Sequence, residues 1–275
     1  EYGRYLVPEL VNLIRGKIAV VRYDYAVVEL LDTLEEIRLF IPDLMGALRG
    51  DFVFLKRKKK NYYVDRIYFR PNRQIVGEII SLHPRMLLKV RGLAPSSTKF
   101  ILKGYPHGRI DELVVGEICD YDDFLVTVEF KSSLGQKNAP GVDITRIILE
   151  NGAPIEFGDE VYDATAKIPL AITKEEIKHR LDLRDQLVVT IDGENARDFD
   201  DAISLVENDD HYLLGIHIAD VSYYVPPNGP IDAAARERGT SIYVIDRVVP
   251  MLPFQLANGI CSLQPQKDRL TLSCL

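Results

Sequence analysis

The chain has 275 residues, 47% of them hydrophobic and 27% charged, which supplies apolar material for two or more packed units and excludes a disordered polypeptide. No apolar run approaches the roughly 20 residues of a helical membrane span, so no membrane is implied. Three cysteines, Cys119, Cys261 and Cys274, are odd in number and widely spaced, which excludes a disulfide framework and a zinc site and points to reduced thiols in the cytoplasm.

The formal net charge of −7 conceals an asymmetry. Residues 49–109 hold 15 basic and 3 acidic side chains, whereas residues 137–275 hold 13 and 23. A basic module suited to phosphates is therefore joined to an acidic one suited to metal ions. Residues 1–16 read as a connector. The chain opens on Glu1 without a basic-then-apolar leader, so its start reads as an internal boundary with no signal peptide.

Residues 17–71 carry five short apolar or alternating runs: Lys17 to Tyr23, Tyr25 to Leu31, Ile37 to Ile41, Asp51 to Lys56 and Tyr62 to Phe69. This spacing predicts a small antiparallel β-barrel of the OB or cold-shock type. Lys56, Arg57, Lys58, Lys59 and Lys60 fall where a hairpin turn is expected, with Tyr62, Tyr63, Tyr68 and Phe69 behind them. Cations that neutralise a phosphate backbone, beside rings that stack on bases, hold single strands without sequence choice. Residues 72–136 predict a second barrel, with strands at Val76 to Ile80, Met86 to Val90, Lys99 to Leu102, Val115 to Cys119 and Phe124 to Phe130. His83 and His107 stand alone in loops, without the convergent partners a metal site requires.

From Ser132 to Gly141 the composition shifts to Ser, Gly, Gln, Asn and Pro, placing a boundary before a third, α+β unit over residues 137–275. Helices are expected at Asp143 to Glu150, at Thr173 to Leu181 and at Ile231 to Gly239. Leu187 to Ile191 reads as a buried strand, Ala202 to Val206 as another, and Tyr212 to Asp220 as an apolar strand ending in His217 and Asp220.

Between the first two of these strands lie Asp192, Asp198, Asp200 and Asp201. Strand-like alternation would point Asp198 and Asp200 to one face. Four carboxylates so close repel one another and lose hydration, so a cation is expected among them. An all-oxygen donor set without His or Cys favours Mg²⁺, with Mn²⁺ as a substitute, and the order of residues is not that of a calcium loop.

The stretch Thr190 to Ile203 resembles the aspartate signature of the ribonuclease II/R (RNB) exoribonuclease family. The resemblance continues through His217 to Val221, Gly239 to Tyr243, Val249 to Pro253, Asn258 to Leu263 and Asp268 to Leu270. It lies closest to the ribonuclease R branch, whose cold-shock modules are also similar to Leu39 to Pro42 and Leu48 to Val53. The chain departs from those modules where Tyr23-Asp24-Tyr25 replaces a glycine-rich aromatic strand.

The resemblance implies two OB-fold barrels followed by the opening part of an RNB catalytic domain. It further implies 3′-to-5′ hydrolysis of single-stranded RNA to nucleoside 5′-monophosphates, with no obligate protein partner. Asp192, Asp198 and Asp201 are then expected to bind metal ions, with Asp200 among the ligands and aligning or deprotonating the attacking water. Tyr243 is expected to stack on the terminal base, with Arg197 among the RNA contacts and His217 in a structural role. In the family the catalytic domain continues beyond Leu275, so the chain reads as a fragment with little activity of its own. Two other readings fit parts of the sequence: an RNA-binding translational regulator that lost catalysis, and a metal-dependent DNA nuclease.

Overall fold

The structure is a computed structural model that describes residues 13–59, 61–122 and 124–275. Lys60 and most of the connector expected over residues 1–16 lie outside the described residues. The chain divides into two compact units between Ala153 and Pro154.

The first unit opens with β1 (Ile14–Val21), β2 (Tyr25–Leu30) and β3 (Glu36–Phe40), a 3₁₀ turn at Ile41–Leu44, then β4 (Phe52–Lys58) and β5 (Asn61–Phe69). All pairs are antiparallel, in the order β3-β2-β1-β4-β5. The five expected strands are thus present. Alternation along β2 buries Ala26, Val28 and Leu30, which meet Ile18, Leu39, Val53, Leu55 and Val64 in one core. The sheet is left open between β3 and β5, as in the partly open barrels of OB folds.

A second set follows: β6 (Gln74–Ser81), β7 (Leu87–Lys89), β8 (Lys99–Lys103), β9 (Glu112–Asp122) and β10 (Leu125–Gln136). These close into a barrel in the order β10-β8-β7-β6-β9, and the closing pair, β8 with β10, is parallel. The composition shift expected to mark a boundary at Ser132 to Gly141 begins inside a strand. β10 runs on to Gln136 against β9, and the polar residues there occupy register shifts rather than a linker. Helix α1 (Val142–Glu150) follows and belongs to this first unit.

The second unit contains α2 (Asp159–Thr165), α3 (Lys174–Ile177), β11 (Val188–Val189), β12 (Asp201–Glu207), β13 (Tyr212–Ala219), α4 (Val221–Tyr224) and α5 (Pro230–Arg238). A short hairpin of β14 (Ile242–Tyr243) and β15 (Val248–Val249) comes next, then a π-helical turn at Leu256–Ile260 and β16 (Thr271–Cys274). The main sheet is antiparallel in the order β11-β12-β13-β16. Val161, Tyr224, Ile231, Leu252, Leu256 and Leu270 pack its core.

Two expectations are corrected here, and one helix is added. Leu187 to Ile191 is not a buried strand: only Val188 and Val189 pair, at the sheet edge, and Leu187 and Ile191 are 81% and 83% exposed. β-branched residues fit a pleated surface whether or not that surface is covered. The helix expected over Thr173 to Leu181 is shortened to Lys174–Ile177, started by a capping box between Thr173 and Glu176. Beyond it Arg180 turns to bond Asp220 at 2.7 Å and the Thr271 carbonyl. Helix α2, which no periodicity announced, buries Val161 and Thr165.

Asp51 anchors the first barrel. Its buried carboxylate accepts from the Leu48 amide at 2.8 Å and from two nitrogens of Arg70 at 2.8 and 2.6 Å. Asp51→Ala leaves the Leu48 amide unpaired and removes the counter-ion of the buried Arg70 guanidinium, an expected loss of about 3–5 kcal/mol in denaturant unfolding. A loss under 1 kcal/mol would show the pair to be dispensable.

Candidate metal centre and active site

Residues 190–200 form a loop without ladder pairing, so the strand alternation expected for Asp198 and Asp200 does not apply. Backbone bonds fix the loop instead. The Ala219 amide donates to the Asp200 carbonyl at 2.9 Å, and the Leu263 amide donates to the Phe199 carbonyl at 2.9 Å. Asp201 then starts β12 opposite Ile218. Asp198 is half-buried, while Asp192, Asp200 and Asp201 keep solvent access.

The loop nonetheless brings the four carboxylates into electrostatic reach of one another. The carboxyl of Asp200 is held above the usual carboxylate range, first by partial burial and then by the charges of Asp198, Asp201 and Asp192, in that order. No cation contributes to its shift. Among the described residues no three carboxylate, imidazole or thiolate groups already converge as a finished metal site. Like charges without a counter-ion stand apart, and this all-carboxylate set fits a hard divalent ion such as Mg²⁺.

The Tyr243 hydroxyl donates to Asp198 Oδ2. That bond, then desolvation, then the charges of Asp198 and Asp200 push the phenol up to about 12. Its ring is 64% exposed on the β14–β15 hairpin, so a flat apolar surface lies beside the acidic loop. Arg197 is exposed, and its carbonyl, not its guanidinium, makes the local contact, accepting from Ser262 Oγ at 2.8 Å. Nothing in the sequence marks this role for Ser262 beyond its place within Asn258 to Leu263.

His217 is internal. Its ring bonds Ser204 Oγ at 2.9 Å and Ser273 Oγ at 2.8 Å, on the face opposite that of Asp201. A Cβ on Gly215 would lie 2.4 Å from Ser204 Oγ and 2.7 Å from His217 Nε2, so only glycine leaves room for this pair. A cavity of about 880 Å³ lies against the same face, lined by His217, Arg180, Arg184 and Arg269 among others, and none of the four aspartates lines it.

The basic run is rearranged relative to expectation. Lys56, Arg57 and Lys58 lie within β4, and Lys59, with φ 57°, forms the tip. Lys56 is paired with Asp65 at 2.6 Å, and Arg57 lies 6.0 Å from the Tyr62 ring. Tyr68 and Phe69 are exposed, whereas Tyr62 and Tyr63 are half-buried.

Residues 180–275 match the RNB domain family. Ribonuclease R of Thermotoga maritima is 37% identical over 274 residues, covering 94% of this chain and 38% of that protein. The solved structure of Mycoplasma genitalium RNase R in complex with ribose-methylated single-stranded RNA superposes with a TM-score of 0.82 at 27% identity. That match covers 94% of this chain and 43% of the other. The chain belongs to the RNB family.

Yeast Ssd1, a pseudonuclease, shares the RNB-family fold with a TM-score of 0.68 at 18% identity, over 99% of this chain and 43% of Ssd1. The chain thus spans about 38–43% of the length of these relatives. Two OB-type barrels followed by RNB-domain sequence is the architecture these matches support.

Asp200 binds its proton more tightly in the folded chain, so the stability associated with this group is present at low pH and is lost as pH rises through the folded value. Without divalent ions, Asp200→Asn should therefore melt about 1–3 °C higher than the parent at pH 7, a modest gain because solvent screens the site. The difference should shrink as pH falls and vanish below about pH 3, where the carboxyl is protonated in the folded and unfolded chain alike. Equal melting temperatures at both pH values would remove the repulsion inferred here.

Proposed function

We propose that this chain is part of a 3′-to-5′ hydrolytic exoribonuclease that degrades single-stranded RNA to nucleoside 5′-monophosphates in a Mg²⁺-dependent reaction in the cytoplasm. The observation that carries this reading is the gathering of four aspartates at one loop, where partial burial and the charges of Asp198, Asp201 and Asp192 raise the proton affinity of Asp200. Asp192, Asp198 and Asp201 would hold Mg²⁺, with Mn²⁺ as a substitute and Asp200 beside them or sharing the ions. Bound ions of this kind offset the charge on a scissile phosphate and ease deprotonation of water.

The chain's own residues supply the rest. Asp200, whose carboxyl is pushed toward neutrality, orients the attacking water and accepts its proton. Tyr243 presents its exposed ring to the terminal base, a sequence-blind platform, while its hydroxyl holds Asp198. Arg197, Lys56, Arg57, Lys58, Lys59 and Lys60 are assigned to the RNA backbone. Of these, Arg57, Lys58 and Lys59 are exposed toward the β4–β5 tip, and Lys56 must share its charge with Asp65. The T. maritima relative carries the name ribonuclease R, and the M. genitalium RNase R was solved with single-stranded and with double-stranded RNA.

A second reading, an RNA-binding regulator without catalysis, is favoured by one finding: the pseudonuclease Ssd1 shares the fold. The retained carboxylates separate the two, since a binder of phosphates gains nothing from four anions in one loop.

Incubating the full-length protein with 5′-labelled single-stranded RNA and Mg²⁺ should give stepwise shortening from the 3′ end. Asp200→Asn should lower kcat at least about 100-fold while RNA affinity stays within about twofold. Tyr243→Ala should weaken binding of short RNA by about 1–3 kcal/mol. Undiminished turnover by Asp200→Asn would remove its assigned role, and an RNA left intact by the parent would favour the regulator.

A further inference from the structure

The acidic loop carries no strand ladder around Asp198, yet its backbone there is held on both sides by a single buried hydroxyl. Ser262 is fully buried. Its Oγ donates to the Arg197 carbonyl at 2.8 Å and accepts from the Phe199 amide at 3.1 Å. These two groups flank Asp198 in the chain. The next residue adds a third tie, from the Leu263 amide to the Phe199 carbonyl at 2.9 Å.

Ser262 is itself rigidly placed. The π-helical turn Leu256–Ile260 delivers it: the Cys261 amide reaches back to the Leu256 carbonyl at 3.1 Å, and the Ser262 amide to the Gly259 carbonyl at 3.1 Å. Arg269 Nε donates to the Ser262 carbonyl at 2.8 Å, and Leu256, Ile260 and Cys261 are packed in the core around it.

We propose that Ser262 is a positioning residue for the candidate metal centre: its hydroxyl bridges the Arg197 carbonyl and the Phe199 amide and so sets where the Asp198 carboxylate stands. The claim about ion binding rests on the carboxylate reading of the previous subsection, whereas the backbone clamp does not. A neutral hydroxyl suits the task. It satisfies one buried donor and one buried acceptor at once and adds no charge beside four anions. With Tyr243 on the Asp198 side chain and Ser262 on its peptide groups, both the rotamer and the backbone of this aspartate are fixed before any ion arrives. Groups that orient ligands in this way commonly change metal affinity 10- to 100-fold when removed.

The test uses the 275-residue chain and two readouts that need no turnover. Amide exchange at Phe199 is followed by NMR, and Mn²⁺ binding by the electron paramagnetic resonance of the free ion. Ser262→Ala should speed exchange at Phe199 at least about 10-fold and weaken Mn²⁺ binding about 10-fold. Cys261→Ala, which empties core volume one residue away, should lower the melting temperature yet leave Mn²⁺ affinity within twofold, separating positioning from general loosening.

Unchanged Phe199 exchange in Ser262→Ala, or Mn²⁺ affinity equal to the parent's despite faster exchange, overturns the proposal. An equal loss of affinity in Cys261→Ala overturns it too. If the parent and Asp198→Ala bind Mn²⁺ alike, the metal reading fails instead, and the exchange rate at Phe199 alone decides for or against the clamp.

Discussion

Mutual repulsion among Asp192, Asp198, Asp200 and Asp201 is the constraint around which the second unit is arranged. Isolated in water these carboxylates would separate; here the chain between β11 and β12 keeps them close enough that, on top of partial burial, three of them raise the proton affinity of the fourth. Among the described residues no lysine or arginine offsets this charge at Asp200. The fold confines the loop with neutral groups, namely backbone amides from Ala219 and Leu263, the Ser262 hydroxyl and the Tyr243 phenol. A cation supplied by the protein would satisfy the aspartates permanently, whereas neutral restraints leave their charge available to an ion from solution.

The sheet beneath the loop carries the same division of labour. Along β13 the inward positions are Gly215, His217 and Ala219, small or hydrogen-bonded, while Leu214, Ile216 and Ile218 face outward and exposed. His217 is occupied on both ring nitrogens by serines, so a residue that sequence inspection would tempt one to place in the chemistry instead ties β12, β13 and β16 together. In the first unit, charge is managed differently: Asp51 and Arg70 neutralise each other inside the barrel, and Lys56 is half spent on Asp65. The free positive charge of that hairpin therefore lies toward its tip.

The barrels were legible in the sequence because period-two alternation and turn residues are local signals. All ten strands expected over residues 17–136 have counterparts, although β1, β9 and β10 run longer than their apolar cores. The polar residues from Ser132 to Gln136, which read as the start of a boundary, sit in a paired strand whose register shifts admit them. At the site, residue identity was legible and geometry was not. The aspartates announced themselves by type and spacing, but the alternation invoked for Asp198 and Asp200 belongs to strands, and residues 190–200 are held by long-range bonds to residues 219, 243, 262 and 263. Ser262 lies 64 residues from Asp198, and a lone serine in an apolar turn carries no pattern that marks its partner.

The most direct test of the central claim, that these four carboxylates gather around a divalent ion, is anomalous diffraction from crystals of the chain soaked in Mn²⁺. A peak at about 2.0–2.4 Å from oxygens of at least three of Asp192, Asp198, Asp200 and Asp201 is the expected result. No peak at the loop in crystals where these aspartates are free of lattice contacts, or manganese bound only at other carboxylates, would contradict it.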